Sequence, residues 1–443
     1  MPHKREFDLI VWGATGYTGK LVIEQYAKTY LVRKTQSVLL YIVQHLNCCI
    51  RRERVGVWKE GKIKLAVGGR SRDRLVKALA VVAELTGIPE TNSIPVVVAD
   101  PETEGSLESM TARCAAVISL AGPFGTQGMH LVDAAVKTKT HYSDINGEPR
   151  FSQDVVERHA RTAREAGVRV VTNCGFDSFP HDLGTWLAVQ TAKDLGRPAK
   201  TVTEVVLDAQ QPSSGSTMHA IADTCEYFAE LGEGQHDAYS MIPQEARKNK
   251  RTMLETIEYF VPHQSWVVPF LMQKSDARIM QRSNYLLGYH PDFVARQVHA
   301  KANLVAAWIS QALYVVFGYL FQFAWARNAV LRGAPMGSGP ERKTLEKGTI
   351  FLCWYAQDEK DEPVVRADFT YLEGDAGYLF TSRLLLEVGL ALSRDLDELD
   401  KTPGILKEGV LTPSAAFGQY GVGLLHKLNG HLIARTLLAK WDV

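Results

Sequence analysis

Short apolar runs alternate with helix-length segments through the first 171 residues. Phe7–Trp12, Lys64–Val67, Ile94–Ala99, Ala115–Leu120, His141–Ile145 and Val168–Val171 are predicted strands. Between them, Tyr17–Tyr30, Arg72–Thr86, Met129–Lys137 and Asp154–Ala166 read as helices, with Gly87 and Gly167 as stop signals. The strand runs are apolar without strict alternation, as strands covered on both faces are. Strand–helix alternation of this kind predicts an α/β fold with a doubly wound parallel sheet. Further along, Thr201–Leu207, Thr349–Ala356 and Val364–Leu372 read as strands of a second, mixed sheet, and Met218–Leu231 as a helix. Glu359–Glu362 reads as a charged hairpin loop, Leu379–Leu392 as a long helix, and Gly409–Gly418 as a loop of small residues and proline.

Two stretches depart from this pattern. Residues 31–62 are too long for the link between the first helix and second strand of a compact unit. Three readings stand: a surface excursion, a membrane-touching hairpin, or intron sequence retained by a faulty gene model. The adjacent Cys48 and Cys49 within it are read as free thiols, with acylation as the alternative. Leu304–Ala326 carries no charge over about the length of a membrane span, with aromatics near both ends and Lys301, Arg327 and Arg332 flanking it. A simple span would separate the C-terminal segment from the domain it completes. The remaining readings are a half-inserted helix or hairpin that docks on a membrane or lipid droplet, and a buried or subunit-interface helix.

The length of 443 residues accommodates two or three domains. Lys plus Arg is 50 and Asp plus Glu is 49, so no basic excess favours nucleic-acid binding. The six cysteines show neither C-x-x-C pairs nor zinc-ligand spacing, so no metal site is expected and a reducing compartment fits. The opening segment reads as a strand rather than a secretory signal, so the chain is expected on the cytoplasmic side and not secreted.

The strongest chemical signal is Gly13-Ala14-Thr15-Gly16-Tyr17-Thr18-Gly19 between the first strand and first helix. Gly13 permits a tight turn, Gly16 lets the backbone approach a pyrophosphate, and Gly19 lets the helix pack close to the sheet. The helix N-terminus then presents free N–H groups to phosphate. After the second strand come Arg70, Ser71 and Arg72, where an NAD enzyme would place an acid on the ribose. Two arginines and a serine suit the 2′-phosphate of NADP(H) instead. Asp100 is placed either against the adenine or as a helix cap, and Ala121-Gly122-Pro123 would lie along the cofactor.

These motifs carry a resemblance. The segments VWGATGYTGKL, LAVGGRSRDRL, ISLAGPFGTQG, HYSDINGE, NCGFDSFPHDLG, EGDAGYLFTS and GVLTPSAAFG resemble the saccharopine dehydrogenase-like oxidoreductases, which include the trans-acting enoyl reductases of bacterial lipid synthesis. The resemblance implies a Rossmann domain, a second α/β domain, a C-terminal helical return to the first, and NADP(H). The expected division is 1–179 for nucleotide binding, 180–369 for substrate and dimerisation, and 370–443 packing on the first domain.

For the chemistry, Tyr142, Asp144 and Asp177 lie where strand ends face the expected cleft and are candidate proton donors, with capping helices or fixing turns as the alternative role for the two aspartates. His181 reads as a structural, hydrogen-bonding residue, and Ser213–Thr217 as a loop that either caps a helix or holds an anion. The expected activity is reduction of an apolar, lipid-like carbonyl or enoyl substrate in lipid or glycolipid metabolism. The alternatives are a saccharopine-type reductase of an amino-acid imine, for which the second domain shows no arginine motif, and a lipid-surface protein binding NADP(H) without turnover. A homodimer is an expected assembly.

Overall fold

The computed structural model describes residues 5–32, 62–209, 212, 214–231, 238–246, 256–335 and 337–437. The readings of Cys48–Cys49 and of nearly all of 31–62 lie outside these residues.

The first sheet grows outward from β1 (Phe7–Trp12). The chain continues through α1 (Tyr17–Tyr26), β2 (Leu65–Gly69), α2 (Arg72–Thr86), β3 (Val96–Val98) and α3 (Ser106–Thr111). It then crosses back to β4 (Cys114–Ser119), α4 (Phe124–Lys137), β5 (His141–Asp144), α5 (Pro149–Ala166), β6 (Arg169–Val171) and α6 (Phe179–Asp194). The second sheet takes β7 (Thr201–Ala209), followed by α7 (Gly215–Leu231), β8 (Glu258–Phe260), β9 (Ser265–Pro269), α8 (Gln273–Leu287) and β10 (Val294–Lys301). Helices α9 (Leu304–Phe321), α10 (Ala324–Gly333) and α11 (Arg342–Glu346) precede β11 (Ile350–Gln357) and β12 (Pro363–Tyr371). The chain closes with α12 (Thr381–Arg394), α13 (Leu396–Leu399), β13 (Gly409–Leu411), α14 (Pro413–Lys427) and β14 (His431–Thr436).

The first sheet has strand order β13-β6-β5-β4-β1-β2-β3, and every pairing in it is parallel. The second has order β14-β12-β11-β7-β10-β9-β8 and is mixed, with β7 and β10 parallel and its other pairs antiparallel. This is the predicted α/β architecture. One continuous core joins the sheets, running from Leu9 and Ile118 to Val202, Trp354 and Phe417. Helix α12 lies against β1 and β4, and an ideal Cβ on Gly389 would come 2.7 Å from Ile118 Cγ2, so glycine sets that spacing.

Helix ends follow the sequence signals where glycine supplies them. Gly87 and Gly167 both close helices in the left-handed region, at φ 68°. Two helix starts come earlier than the apolar periodicity predicts. Helix α5 begins at Pro149, whose fixed φ suits the first helical position. Helix α4 begins at Phe124 because the Glu148 carboxylate, from a distant loop, accepts from Phe124 N at 2.9 Å and Gly125 N at 2.7 Å.

The C-terminal region differs from the expected simple return. Gly409–Leu411 is a strand on the edge of the first sheet, and Pro413 starts a helix capped by Thr412 Oγ1, so 409–418 is not a loop. The last strand, β14, pairs with β12 and thus completes the second sheet, not the first. The alternative of a buried helix at 304–326 is overturned for α9: two of its 18 residues, Ala307 and Phe321, are buried. The expected hairpin loop is present, with Asp358 accepting from the backbone of Lys360 and Glu362.

Candidate functional site

In the first sheet the chain runs from β1 towards β3 on one side and from β4 towards β6 on the other. The reversal between β1 and β4 opens a crevice at the strands' carboxyl ends, the position where such sheets bind ligands. Gly13 and Ala121 meet there. Gly13 has φ 84°, and a Cβ on it would lie 2.8 Å from Ala121 N. Gly16 N donates to Gly13 O at 3.0 Å, which tightens the turn. A Cβ on Gly19 would come 2.8 Å from Ala14 Cα, so the third glycine lets α1 sit directly on the turn. Gly16 is the N-cap of α1, and no side chain caps that helix, so its first N–H groups face the crevice without an internal acceptor.

The remaining predicted cofactor residues gather along the same edge. Thr15 is exposed, and Gly16, Tyr17 and Thr18 are half-buried. Arg70 and Arg72 are exposed after β2, while Ser71 caps α2, its Oγ accepting from Arg74 N at 3.4 Å. Asp100 does not cap the next helix, which starts at Ser106 with Gly105 as its N-cap; its carboxylate accepts from Glu102 N at 3.1 Å within the turn after β3. Ala121, Gly122 and Pro123 are half-buried beside Gly13. Tyr17 contributes its backbone to the helix start, but its side chain turns away. The hydroxyl donates to Pro340 O at 2.6 Å, and the ring stands edge-on to Tyr378 at 5.2 Å.

Tyr378 is a residue that the sequence reading passed over. Its hydroxyl accepts from Ser214 N at 2.6 Å and lies 2.7 Å from Thr217 Oγ1. It thereby fixes the small-residue loop before α7 beside α1. Ser213, within that predicted loop, lies outside the described residues. The available signal was Asp375, whose carboxylate caps Tyr378 N and Leu379 N.

The three proton-donor candidates separate. Tyr142 and Asp144 are wholly buried. Tyr142 Oη donates to Asp144 Oδ2 at 2.9 Å, and Asp144 Oδ1 accepts from Asn146 N, Asn146 Nδ2 and Asn173 N. Burial pushes both the phenol and the carboxyl up from their ordinary values. The pair therefore ties the ends of β5 and β6 together and is closed to a substrate, contrary to the catalytic expectation. Asp177 is half-buried in the turn between β6 and α6. A Cβ on Gly147 would lie 3.5 Å from its Oδ2 and 3.6 Å from Met272 Cε at the start of α8. Asp177 thus stands where the first sheet's strand ends meet the second unit. His181, one turn into α6, is buried, with Nδ1 2.5 Å from Glu204 Oε1.

Among the described residues, no group of three or more His, Cys, Asp and Glu side chains is placed to hold a metal. The crevice instead presents backbone N–H groups and exposed arginines, a donor set that fits the phosphates of a dinucleotide.

No family model matches the chain. The trans-acting enoyl reductase of Mycobacterium tuberculosis is 27% identical over 456 residues, covering 97% of each chain. The trans-acting enoyl reductase of Mycobacterium leprae is 26% identical, covering 94% of this chain and 95% of its own. Among solved structures, the L-Glu-forming saccharopine dehydrogenase of Saccharomyces cerevisiae superposes with a TM-score of 0.50 over 97% of this chain and 99% of that one, at 12% identity, which shows a shared fold. The chain thus shares the fold of saccharopine dehydrogenase and is similar to the mycobacterial trans-acting enoyl reductases along nearly its whole length.

Proposed function

We propose that the chain is an NADP(H)-dependent reductase of a lipid-like carbonyl or enoyl substrate, working in the crevice between the two sheets. The observation that carries this reading is the backbone contact of Gly13 and Ala121 at the sheet's reversal point, below an uncapped helix start. The glycine turn and the first N–H groups of α1 hold the pyrophosphate. Arg70 and Arg72 hold the 2′-phosphate, which NADH lacks. The bound cofactor supplies the hydride, and Asp177, in the turn after β6 at the sheet's carboxyl edge, supplies the proton.

The lipid-like substrate is supported by α9. Its stripe Ala307, Tyr314 and Phe321 faces the body of the protein, and most of the remaining surface is exposed, with Trp308 at 62% and Leu313 at 66%. Apolar exposure on this scale is costly in water, and a helix exposed on several sides suits a fluid lipid phase better than a narrow protein seam. Docking on a lipid droplet or membrane surface would bring the crevice to a substrate dissolved there.

The first test is titration of the purified protein with NADPH and NADH by cofactor fluorescence, on wild type and Arg70→Ala. The variant is expected to weaken NADPH binding by roughly 10- to 100-fold while barely moving NADH, the loss of one or two charge-assisted bonds. Failure of wild type to bind either cofactor would sink the reading. NADPH consumption with 2-enoyl thioesters then separates a reductase from a lipid-surface protein that only binds the cofactor.

A further inference from the structure

The two halves of a dinucleotide in the crevice would part at β1. Strand β2, followed by Arg70 and Arg72, lies on one side of β1, and β4 lies on the other. With the 2′-phosphate at the arginines and the pyrophosphate over the glycine turn, the nicotinamide half runs onto Ala121-Gly122-Pro123 after β4. That turn is fixed at both ends. Before it, Leu120 N donates to Trp12 O at 2.9 Å. Directly after it α4 begins, with Pro123 as an N-cap that has no side-chain oxygen to offer the helix.

Glu148 supplies what Pro123 lacks. It is the N-cap of α5, yet its side chain makes no capping bond to its own helix. The buried carboxylate crosses to α4 instead, Oε1 accepting from Phe124 N at 2.9 Å and Oε2 from Gly125 N at 2.7 Å. Each oxygen thus takes one of the N–H groups that a helix start leaves without an internal acceptor. A Cβ on Gly125 would lie 3.1 Å from Oε2, so the glycine gives the carboxylate its room. Glu148 is itself held from behind. Its N donates to Asn146 Oδ1 at 3.0 Å, and Asn146 Nδ2 donates to Asp144 Oδ1 at 3.0 Å, at the end of β5. One turn further on, Phe151 packs against α4: its ring lies 5.6 Å from that of Phe124, and a Cβ on Gly128 would come 2.7 Å from it. The helix starts on either side of the sheet's reversal point therefore differ. The start of α1 has no side-chain cap, and that of α4 is filled by the chain's own carboxylate.

We propose that Glu148 is a positioning residue for the nicotinamide half of the cofactor. This rests on the NADP(H) reading above and assigns a residue to the half that the glycine turn and the arginines do not hold. By fixing the first turn of α4, Glu148 fixes the 121–123 turn on which the nicotinamide end lies. By filling that helix start it also keeps phosphate off α4, so the pyrophosphate settles on α1 and the dinucleotide lies one way round. Glu148 acts through the backbone of Phe124 and Gly125; it touches neither cofactor nor substrate and moves no proton.

The test separates the two halves of the cofactor and needs no substrate. The probe 2′,5′-ADP carries the adenosine and its 2′-phosphate but no nicotinamide. Calorimetric titration of wild type, Glu148→Gln and Arg70→Ala with NADPH and with 2′,5′-ADP gives six affinities. Arg70→Ala should weaken both ligands. Glu148→Gln leaves one acceptor oxygen for two N–H groups, and should weaken NADPH roughly 10-fold while holding 2′,5′-ADP within about 2-fold of wild type. A merely structural role would weaken both ligands alike, and that result, or an unchanged NADPH affinity, would overturn the proposal. If wild type binds neither ligand, the NADP(H) reading itself fails. If wild type binds both and Glu148→Gln matches it, that reading stands and the positioning role alone falls. Should Glu148→Gln fold poorly, hydrogen exchange in wild type reads the same division. The amides of Ala121, Gly122, Phe124 and Gly125 should gain protection with NADPH and none with 2′,5′-ADP. Equal protection by the two ligands, or protection by neither, would overturn the assignment.

Discussion

The Tyr142 hydroxyl donates to Asp144 Oδ2 at 2.9 Å, and both side chains are sealed inside the first sheet's carboxyl edge. The same aspartate accepts from the backbone of Asn146 and Asn173, so three short connections converge on one carboxylate. Removing the phenol oxygen leaves Asp144 with a buried lone pair unfilled. Tyr142→Phe is therefore expected to cost about 1–3 kcal/mol of stability while leaving NADPH affinity as in wild type. Urea unfolding and cofactor fluorescence measure the two halves. Full stability with turnover lost a hundredfold would instead make Tyr142 a proton donor.

Gly13 and Gly87 offer a matched comparison. Both have positive φ, 84° and 68°, but a Cβ on Gly13 would run into Ala121 whereas one on Gly87 meets nothing within 4 Å. Gly87→Ala should cost only the backbone term, about 1 kcal/mol. Gly13→Ala adds a steric clash with backbone that cannot step aside, for a total of roughly 2–4 kcal/mol. Thermal unfolding of the two variants side by side isolates the close approach at the crevice. Equal losses would mean that the two backbones are not in contact.

Asp182 should make stability depend on pH. Its Oδ1 accepts from Ser283 Oγ at 2.7 Å and its Oδ2 from Ser414 N at 2.8 Å, which links α6, α8 and α14. Burial outweighs these bonds and pushes its carboxyl up to about 6. The unfolded chain releases that proton near the ordinary carboxylate value, so between about pH 4 and 6 the folded state holds more protons. Its contribution to stability therefore falls as pH rises through that window, by on the order of 2–3 kcal/mol, and is level above it. Denaturation midpoints at pH 4 and 7 should differ less in Asp182→Asn than in wild type. Parallel midpoints in the two proteins would show that Asp182 ionises normally.

The periodic part of the fold was legible because its signals are local. Phe7–Trp12 announces a buried strand by composition, Gly87 and Gly167 stop helices by conformation, and Gly13 through Gly19 combine both. What stayed hidden depends on contacts between distant residues. The start of α4 is set by Glu148, 24 residues away from Phe124, and no pattern around Phe124 reports it. The role of Tyr378 depends on Ser214, 164 residues earlier. Tyr142 lies within β5 and Asp177 after β6, and their sequence surroundings alone do not rank one above the other as a proton donor. Burial separates them: one is enclosed by its own sheet, and the other lies against the second unit.

The outward surface of α9 leads to the last expectation. Val305, Trp308, Ile309, Leu313, Val316 and Tyr319 are each more than half exposed, and Phe323 and Trp325 continue the surface into α10. Wild-type protein should float with phosphatidylcholine-coated triolein droplets, because burying these side chains in acyl chains removes them from water at about 25 cal/mol per Å². Trp308→Glu together with Leu313→Glu places two charges on that surface and should abolish flotation. Neither side chain is buried, so thermal stability and NADPH affinity should hold. Light scattering of the same two proteins distinguishes the other occupant of this surface. If wild type is a dimer that the double variant converts to monomer, and flotation is the same in both, the helix packs against a second copy and the lipid reading fails. Loss of flotation with oligomeric state unchanged is the result that ties α9 to a lipid surface.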